Sequence, residues 1–271
     1  MTDQVLVDSV INETNRVFNP VRVMPAVQNV DKHAMATDRY NVFDTREIIG
    51  LLDKHGWVPH DGSQVAARRS EDAAFKRHVI WFKHPDLNFG DEQLSTVIFN
   101  SHDRTTSMRF MMGIIRWVCS NLMIAGEGFE EFRMRHINWT QDDVLRALDG
   151  ALENAPTLMN NVADMKELGL NKKDRVKFAI DAMKIRYPKV EALPFEPSLI
   201  LDVRRKEDKD PTLWNTFNVV QESLLKGGVS YDRSTGKHSH NMTRPIRNVN
   251  EIVRVNRGLW DLAEETLQAA A

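Results

Sequence analysis

The sequence predicts an α+β fold: a small antiparallel sheet packed on a long central helix, followed by a mostly helical C-terminal half. Three observations carry that reading. Two strand-like runs, Arg77–Lys83 and Leu94–Phe99, are rich in β-branched and aromatic residues and flank a turn-forming stretch. From Met108 to Ala125 the chain is almost continuously apolar, and Phe110, Ile114, Val118 and Leu122 fall on one helical row. After Trp139 the pattern changes to successive helices with start and stop signals. The expected organisation is an N-terminal arm over 1–36, an α+β core unit over 37–137 and a helical region over 138–271.

The lead-in is polar and broken by Pro20 and Pro25, with a strand expected around Val21–Val27. Asp44 followed by Glu47 forms a capping box, and Ile48, Ile49, Leu51 and Leu52 supply the buried face of its helix. Gly56 is a natural stop. Trp57-Val58-Pro59 leads to a strand near Gln64–Arg69. Val79 and Trp81 share one face of the next strand, which Pro85 and Asn88–Asp91 end, and Leu94–Phe99 pairs with it antiparallel.

The helical half begins where Thr140 with Asp143 opens a helix. Pro156 is placed at the first position of another helix, and Asn171 caps a third that Pro188 stops. Asp210-Pro211 opens a helix carrying Leu213, Trp214, Phe217, Val220 and Leu224, closed by Gly227-Gly228. Asn250 caps the last. Between these two helices, residues 227–249 form a long Gly/Ser/Thr and basic loop, a length that is usually functional or disordered. From Lys226 to Arg257 seven Lys/Arg face Asp232 and Glu251, a local net of +5, the most basic window in the chain.

Composition narrows the classes. The 271 residues are 42% hydrophobic, enough for a substantial core, and the net charge of −2 announces no global affinity for polyanions. The single cysteine, Cys119, cannot form an intrachain disulfide and reads as a small buried hydrophobe of a reducing compartment. The N-terminus lacks the basic and apolar regions of a secretory signal, and Arg109 and Arg116 interrupt the most apolar window. A cytoplasmic globular protein without a membrane span is expected.

Several stretches together resemble a known family: ATDRYNVFDTREIIGLLDKHGW, RHVIWFKH and IFNSHDRTTSMRFMMGIIRWVCSNLMI, with weaker echoes in LWNTFNVVQESLLKGG and NRGLWDLAE. They are similar, in order and from about Ala36 onward, to the phage- and plasmid-encoded proteins called domain of unknown function 932. The resemblance implies a mobile-element origin and the cytoplasm of a bacterial host. It transfers no activity residue by residue. Where the family usually has a small residue after Ser-His-Asp, this chain has Arg104.

No motif carries catalysis. Ser101-His102-Asp103 are consecutive, so their side chains alternate in direction and cannot line up as nucleophile, base and orienter. The stretch reads as a polar turn in which Asp103, Thr105 or Thr106 caps the central helix, with His102, Arg104 and Arg109 converging on that helix N-terminus to hold an anion. His238-x-His240 has too few ligands for a metal site, the remaining histidines lack ligand spacing, and Gly126-x-Gly128 lacks the rest of a phosphate loop. No metal or other cofactor is expected.

Arg68-Arg69 and Lys76-Arg77-His78 interleave with Trp81, Phe82 and Lys83, a combination that tracks and stacks single-stranded nucleic acid. The plainer reading makes Trp81 a core residue and the cations an ordinary fringe. The expected function is a non-enzymatic DNA-binding protein of phage or plasmid metabolism, with single strands favoured. Its phosphate contacts would come from Arg68, Arg69, Lys76, Arg77, Lys83, His102, Arg104, Arg109, Lys237, Arg244 and Arg247. The alternative is a protein-interaction factor that inhibits or redirects a host defence protein, and a metal-dependent nuclease ranks last. Self-assembly into a homo-oligomer is compatible with each.

Overall fold

A computed structural model describes residues 24–37, 40, 42–116, 121–124, 132–134, 140–232 and 240–270. The chain divides into two compact units, one of residues 1–117 and 128–155, the other of residues 118–127 and 156–271.

The first unit is built on an antiparallel sheet. Its first described element is a single helical turn, α1 (Pro25–Gln28), within the Val21–Val27 stretch where a strand was expected and of which residues 21–23 lie outside the described residues. Pro25 stands at the first helical position, where its missing N–H costs nothing, and Ala26 and Val27 are buried. Helix α2 (Thr45–Lys54) starts where the capping signal places it: Asp44 accepts from the Arg46 amide at 2.9 Å, and Ile48, Ile49 and Leu52 are buried. The chain leaves α2 through Gly56 at φ 81°.

Strand β1 (Val58–Gln64) lies earlier than expected and includes Pro59. Its polar sequence gives no period-two signal, and among the described residues it pairs with β2 alone, an edge position that tolerates proline. Strand β2 (His78–Phe89) continues past Pro85, with a register break between Lys83 and Asn88 that absorbs the proline. Strand β3 (Glu92–Asn100) pairs with it antiparallel, as the sequence predicts.

The main correction concerns the central helix. Met108–Arg116 is not helical but forms strand β4, antiparallel to β3. Alternate residues point to opposite faces, with Phe110, Met112 and Ile114 on one and Met111 and Ile115 on the other, and all five are buried. A strand covered on both faces reads as an unbroken apolar run, in which helical spacing is found by coincidence. Gly113 disfavours a helix, and the β-branched pair Ile114-Ile115 favours the extended form. The rest of the predicted helix includes β5 (Asn121–Ile124), counted with the second unit, while Cys119 lies outside the described residues. A further short strand, β6 (Phe132–Met134), pairs with Met108–Phe110 of β4.

Helix α3 (Gln141–Glu167) is capped reciprocally: the Asp143 amide donates to Thr140 Oγ1 at 3.3 Å and the Thr140 amide to Asp143 Oδ2 at 2.8 Å. Pro156 starts no new helix; it lies inside this continuous one.

The second unit is helical. Helix α4 (Lys172–Arg186) is capped by Asn171, which accepts from the Asp174 amide at 3.0 Å. Helix α5 (Leu213–Lys226) is capped by Thr212, is buried along its whole run from Thr216 to Leu224, and ends at Gly227 and Gly228, both at positive φ. At Gly227 a Cβ would lie 2.6 Å from the Thr243 carbonyl oxygen, so the close approach requires glycine. Helix α6 (Val249–Gln268) is capped by Asn248 rather than Asn250. Trp214 stacks on Phe217 at 5.7 Å, and Phe217 meets Trp260 edge-on at 6.0 Å, which makes both tryptophans core residues. The expected 227–249 loop contains a small hairpin, β7 (Ser230–Asp232) with β8 (His240–Met242).

Candidate nucleic-acid interface

The sheet register decides which candidate residues meet. Strand β1 ends at Gln64, β2 starts at His78, β3 ends at Asn100 and β4 starts at Met108, so the 65–77 and 101–107 connectors emerge at the same end of the sheet. Between them they carry Arg68, Arg69, Lys76, Arg77 and Arg104 against Glu71, Asp72 and Asp103. The connectors touch: the His102 amide donates to the Phe75 carbonyl at 3.1 Å, and Lys76 Nζ lies 3.9 Å from Asp103 Oδ2. The first connector is tightened by a 3-10 turn, Ser70–Phe75, and pinned by Gln64 Nε2 donating to the Ala73 carbonyl at 2.7 Å.

Behind these cations lies a buried polar network that sequence reasoning did not foresee. Thr45 Oγ1 and His78 Nε2 are 2.9 Å apart, and Asn100 Nδ2 reaches both Thr45 Oγ1 and the Phe43 carbonyl at 3.4 Å. The Ser101 amide donates to Asn100 Oδ1 at 2.8 Å, and the Tyr40 hydroxyl donates to the Ser101 carbonyl at 3.3 Å. His102 Nε2 bonds the Ala26 carbonyl at 2.9 Å, tying α1 to the turn. Polar residues at a strand end are unremarkable in one dimension; only register shows that His78 stands opposite Asn100.

Electrostatics follow burial. Burial pushes the His102 imidazole below its ordinary value despite the Ala26 bond and the nearby Asp44 and Asp103 charges. Burial and the Asp103 carboxylate push the Tyr40 phenol up to about 12. Burial works to raise Asp103, but hydrogen bonds from Thr105 and Ser101, with the Lys76 charge, hold its carboxyl below the usual range.

The candidates thus separate. Arg68, Arg69 and Arg104 are exposed, while Lys76 and Arg77 are partly so. Arg69 pairs with Glu71 at 3.7 Å. His102 is fully buried and engaged with Ala26, so the expectation that it meets a phosphate is corrected. The anion site at a helix N-terminus falls with the helix: Asp103 makes a turn, accepting from the Thr105 amide at 3.1 Å, and caps no helix. Arg109 stands on β4 with its guanidinium over Phe99, 5.8 Å from the ring centroid. Lys83 lies beyond the cluster toward the other end of β2, and its charge acts on His60, lowering that imidazole after burial itself. Phe82 is buried and Trp81 only half so, which limits stacking there. Arg244 and Arg247 are exposed in the second unit, and Lys237 lies outside the described residues, as does His238.

The model of a domain of unknown function, DUF932, matches residues 32–260. The chain belongs to the DUF932 family. It is 31% identical over 250 residues to the UPF0380 protein YafZ of Escherichia coli (strain K12), covering 91% of this chain and 89% of that one. It is 30% identical over the same length and shares to the UPF0380 protein YfjQ of the same strain. No solved structure matches. No helix among the described residues is long and apolar enough to cross a membrane.

Proposed function

We propose that this DUF932 chain binds nucleic acid, single strands in preference to duplex, through the cationic end of its first-unit sheet, without catalysing a reaction. The observation that carries the reading is that register alone gathers Arg68, Arg69, Lys76, Arg77 and Arg104 onto two touching connectors. Both connectors are loops, one tightened by a 3-10 turn. That geometry suits tracking a flexible backbone better than entering a major groove. Arg68, Arg77 and Arg104 form no ion pair among the described residues, so their charge is available to a phosphate. The setting this implies is DNA metabolism of a phage or plasmid, such as strand annealing in recombination, in the cytoplasm of a bacterial host.

The test is fluorescence anisotropy of a labelled single-stranded oligonucleotide, with duplex for comparison, across a salt series. Binding should weaken with salt at a log–log slope of roughly −0.7 per neutralised phosphate, and the triple variant Arg68→Glu, Arg77→Glu, Arg104→Glu should flatten that slope. No binding at low ionic strength, or a triple variant indistinguishable from the native chain, ends the proposal.

A second reading has its own support. Arg69 with Glu71 and Lys76 with Asp103 make this end a surface of mixed sign, which suits a protein partner such as a host defence factor. Capture of one host protein by the native chain and not by the triple variant, in the absence of oligonucleotide binding, would favour it.

A further inference from the structure

The second unit contains a groove that the cationic sheet end does not use. Helices α4 and α6 run antiparallel: Arg186 at the end of α4 lies 3.3 Å from Glu251 in the first turn of α6, and Arg254 Nη1 donates to the Ile185 carbonyl at 2.9 Å. The helices meet most tightly at Gly258, where a Cβ would lie 2.8 Å from Ile185 Cγ2. From that crossing toward the start of α4 they leave a groove of about 850 Å³. Its floor is apolar, with Leu168, Phe178, Ile185 and Leu262. Its walls are acidic: Asp174 and Asp181 from α4, Asp261 and Glu265 from α6. Lys177 is the cation among the lining residues, and it pairs with Asp181 at 3.1 Å. Lys184 holds the same carboxylate at 2.8 Å.

We propose that this groove docks a basic amphipathic helix of a partner protein. The floor between Asp174 and Ile185 spans roughly 16 Å of helix α4, the length of about three turns, so it can take apolar anchors spaced at helical intervals. Asp174 on one wall and Glu265 on the other then meet Lys or Arg on the flanks of the incoming helix, and charge complementarity sets which helices are accepted. A small apolar ligand would leave Asp174 and Glu265 unanswered, and a bare polycation would leave the floor wet. The groove lies wholly within the second unit, so this proposal stands or falls separately from nucleic-acid binding by the first.

The test uses the full chain and a labelled synthetic peptide of leucine and lysine at amphipathic helical spacing, about four turns long. A matching peptide with glutamate for lysine and the tetra-amine spermine serve as comparisons. Anisotropy should show binding of the lysine peptide and none of the glutamate peptide. Asp174→Lys with Glu265→Lys, both at exposed positions, should weaken binding roughly tenfold, because two attractions become two repulsions, with circular dichroism checking that α4 survives the loss of the acidic residue in its first turn. Leu262→Ser should weaken it independently, with circular dichroism checking that the helices persist. Equal binding of the two peptides, no effect of the double reversal, or no binding of the lysine peptide would overturn the proposal. Spermine displacing the peptide at matching affinity would overturn it too, by making the groove a polyamine site.

Discussion

The imidazole rings of His78 and His102 lie 5.3 Å apart behind the cationic sheet end, and their hydrogen bonds select opposite tautomers. His78 Nδ1 lies 3.1 Å from the Lys76 carbonyl, which can only accept, so Nδ1 carries the proton and Nε2 faces the Thr45 hydroxyl. His102 does the reverse, donating Nε2–H to the Ala26 carbonyl, which leaves a buried Nδ1 without a partner among the described residues. This pair explains why the turn resists the reading of a catalytic Ser-His-Asp: the imidazole is a strut between α1 and the β3–β4 turn.

That role makes stability depend on pH. Burial lowers the folded-state pKa of His102 below its ordinary 6.5, so below that value the unfolded chain binds more protons than the folded one. The contribution is complete above about pH 6.5 and is lost as pH falls through the folded pKa. His60, lowered mainly by burial, acts with the same sign. Denaturant titrations from pH 8 to pH 5 should therefore show falling stability. His102→Gln, whose Nε2 can still donate to Ala26, should flatten the slope by up to about 1.4 kcal/mol per pH unit, the value for one proton. Parallel curves for the two proteins would refute the assignment.

Arg104 is the one non-glycine residue at positive φ among the described residues, at 64°. The left-handed region costs an L residue with a Cβ roughly 1 kcal/mol. Arg104→Gly should thus raise the melting temperature by a few degrees while removing one exposed cation. If the residue serves phosphate binding, the same variant weakens oligonucleotide affinity and so gains stability at the expense of function. A lower melting temperature would mean that the arginine side chain holds the turn by contacts that outweigh its backbone strain.

Much of this was legible in one dimension because caps are local chemistry. Asp44, Thr140 and Asn171 each bond an amide two or three residues on, and each marks a true helix start, whereas the helix read from Asp210-Pro211 starts only after its cap, Thr212. The antiparallel pairing of β2 with β3 followed from short-range patterning. The β4 strand was not legible, because periodicity cannot separate a doubly covered strand from a buried helix when every position is apolar. The candidate site suffered most from that error. Once Met108 starts a strand, the 101–107 turn sits beside the 65–77 connector, and His102 moves from a proposed anion ligand into the core. No spacing in the sequence encodes that meeting of distant connectors.

Gly56 is fixed by two constraints at once. Its φ is 81°, and a Cβ there would lie 2.4 Å from His84 Nε2, the ring that also packs edge-on against Trp57 at 5.4 Å. Gly56→Ala should cost about 2 kcal/mol or more, from backbone strain and displacement of His84. Adding His84→Ala should recover the steric part and leave the backbone part, which a double-mutant cycle reads directly. A single variant as stable as the native chain would show that the α2–β1 turn relaxes freely.

The far end of the sheet carries the opposite arrangement to the cationic one. Glu92 and Arg116 stand directly opposite each other in the β3–β4 register, Nε to Oε1 at 4.0 Å, and they are 1% and 3% exposed. Two charges so fully removed from water have given up their hydration, and their pairing offsets part of that loss alongside their other contacts. Removing only one withdraws that offset while the other charge stays buried, whereas removing both removes the burden. Glu92→Gln should therefore lower stability by about 3 kcal/mol, and Glu92→Gln with Arg116→Met should recover most of it. Chemical denaturation of the native chain, both single variants and the double variant decides the matter. If the double variant is as unstable as the sum of the singles, the pair is not coupled, and the buried guanidinium is held chiefly by its other contacts.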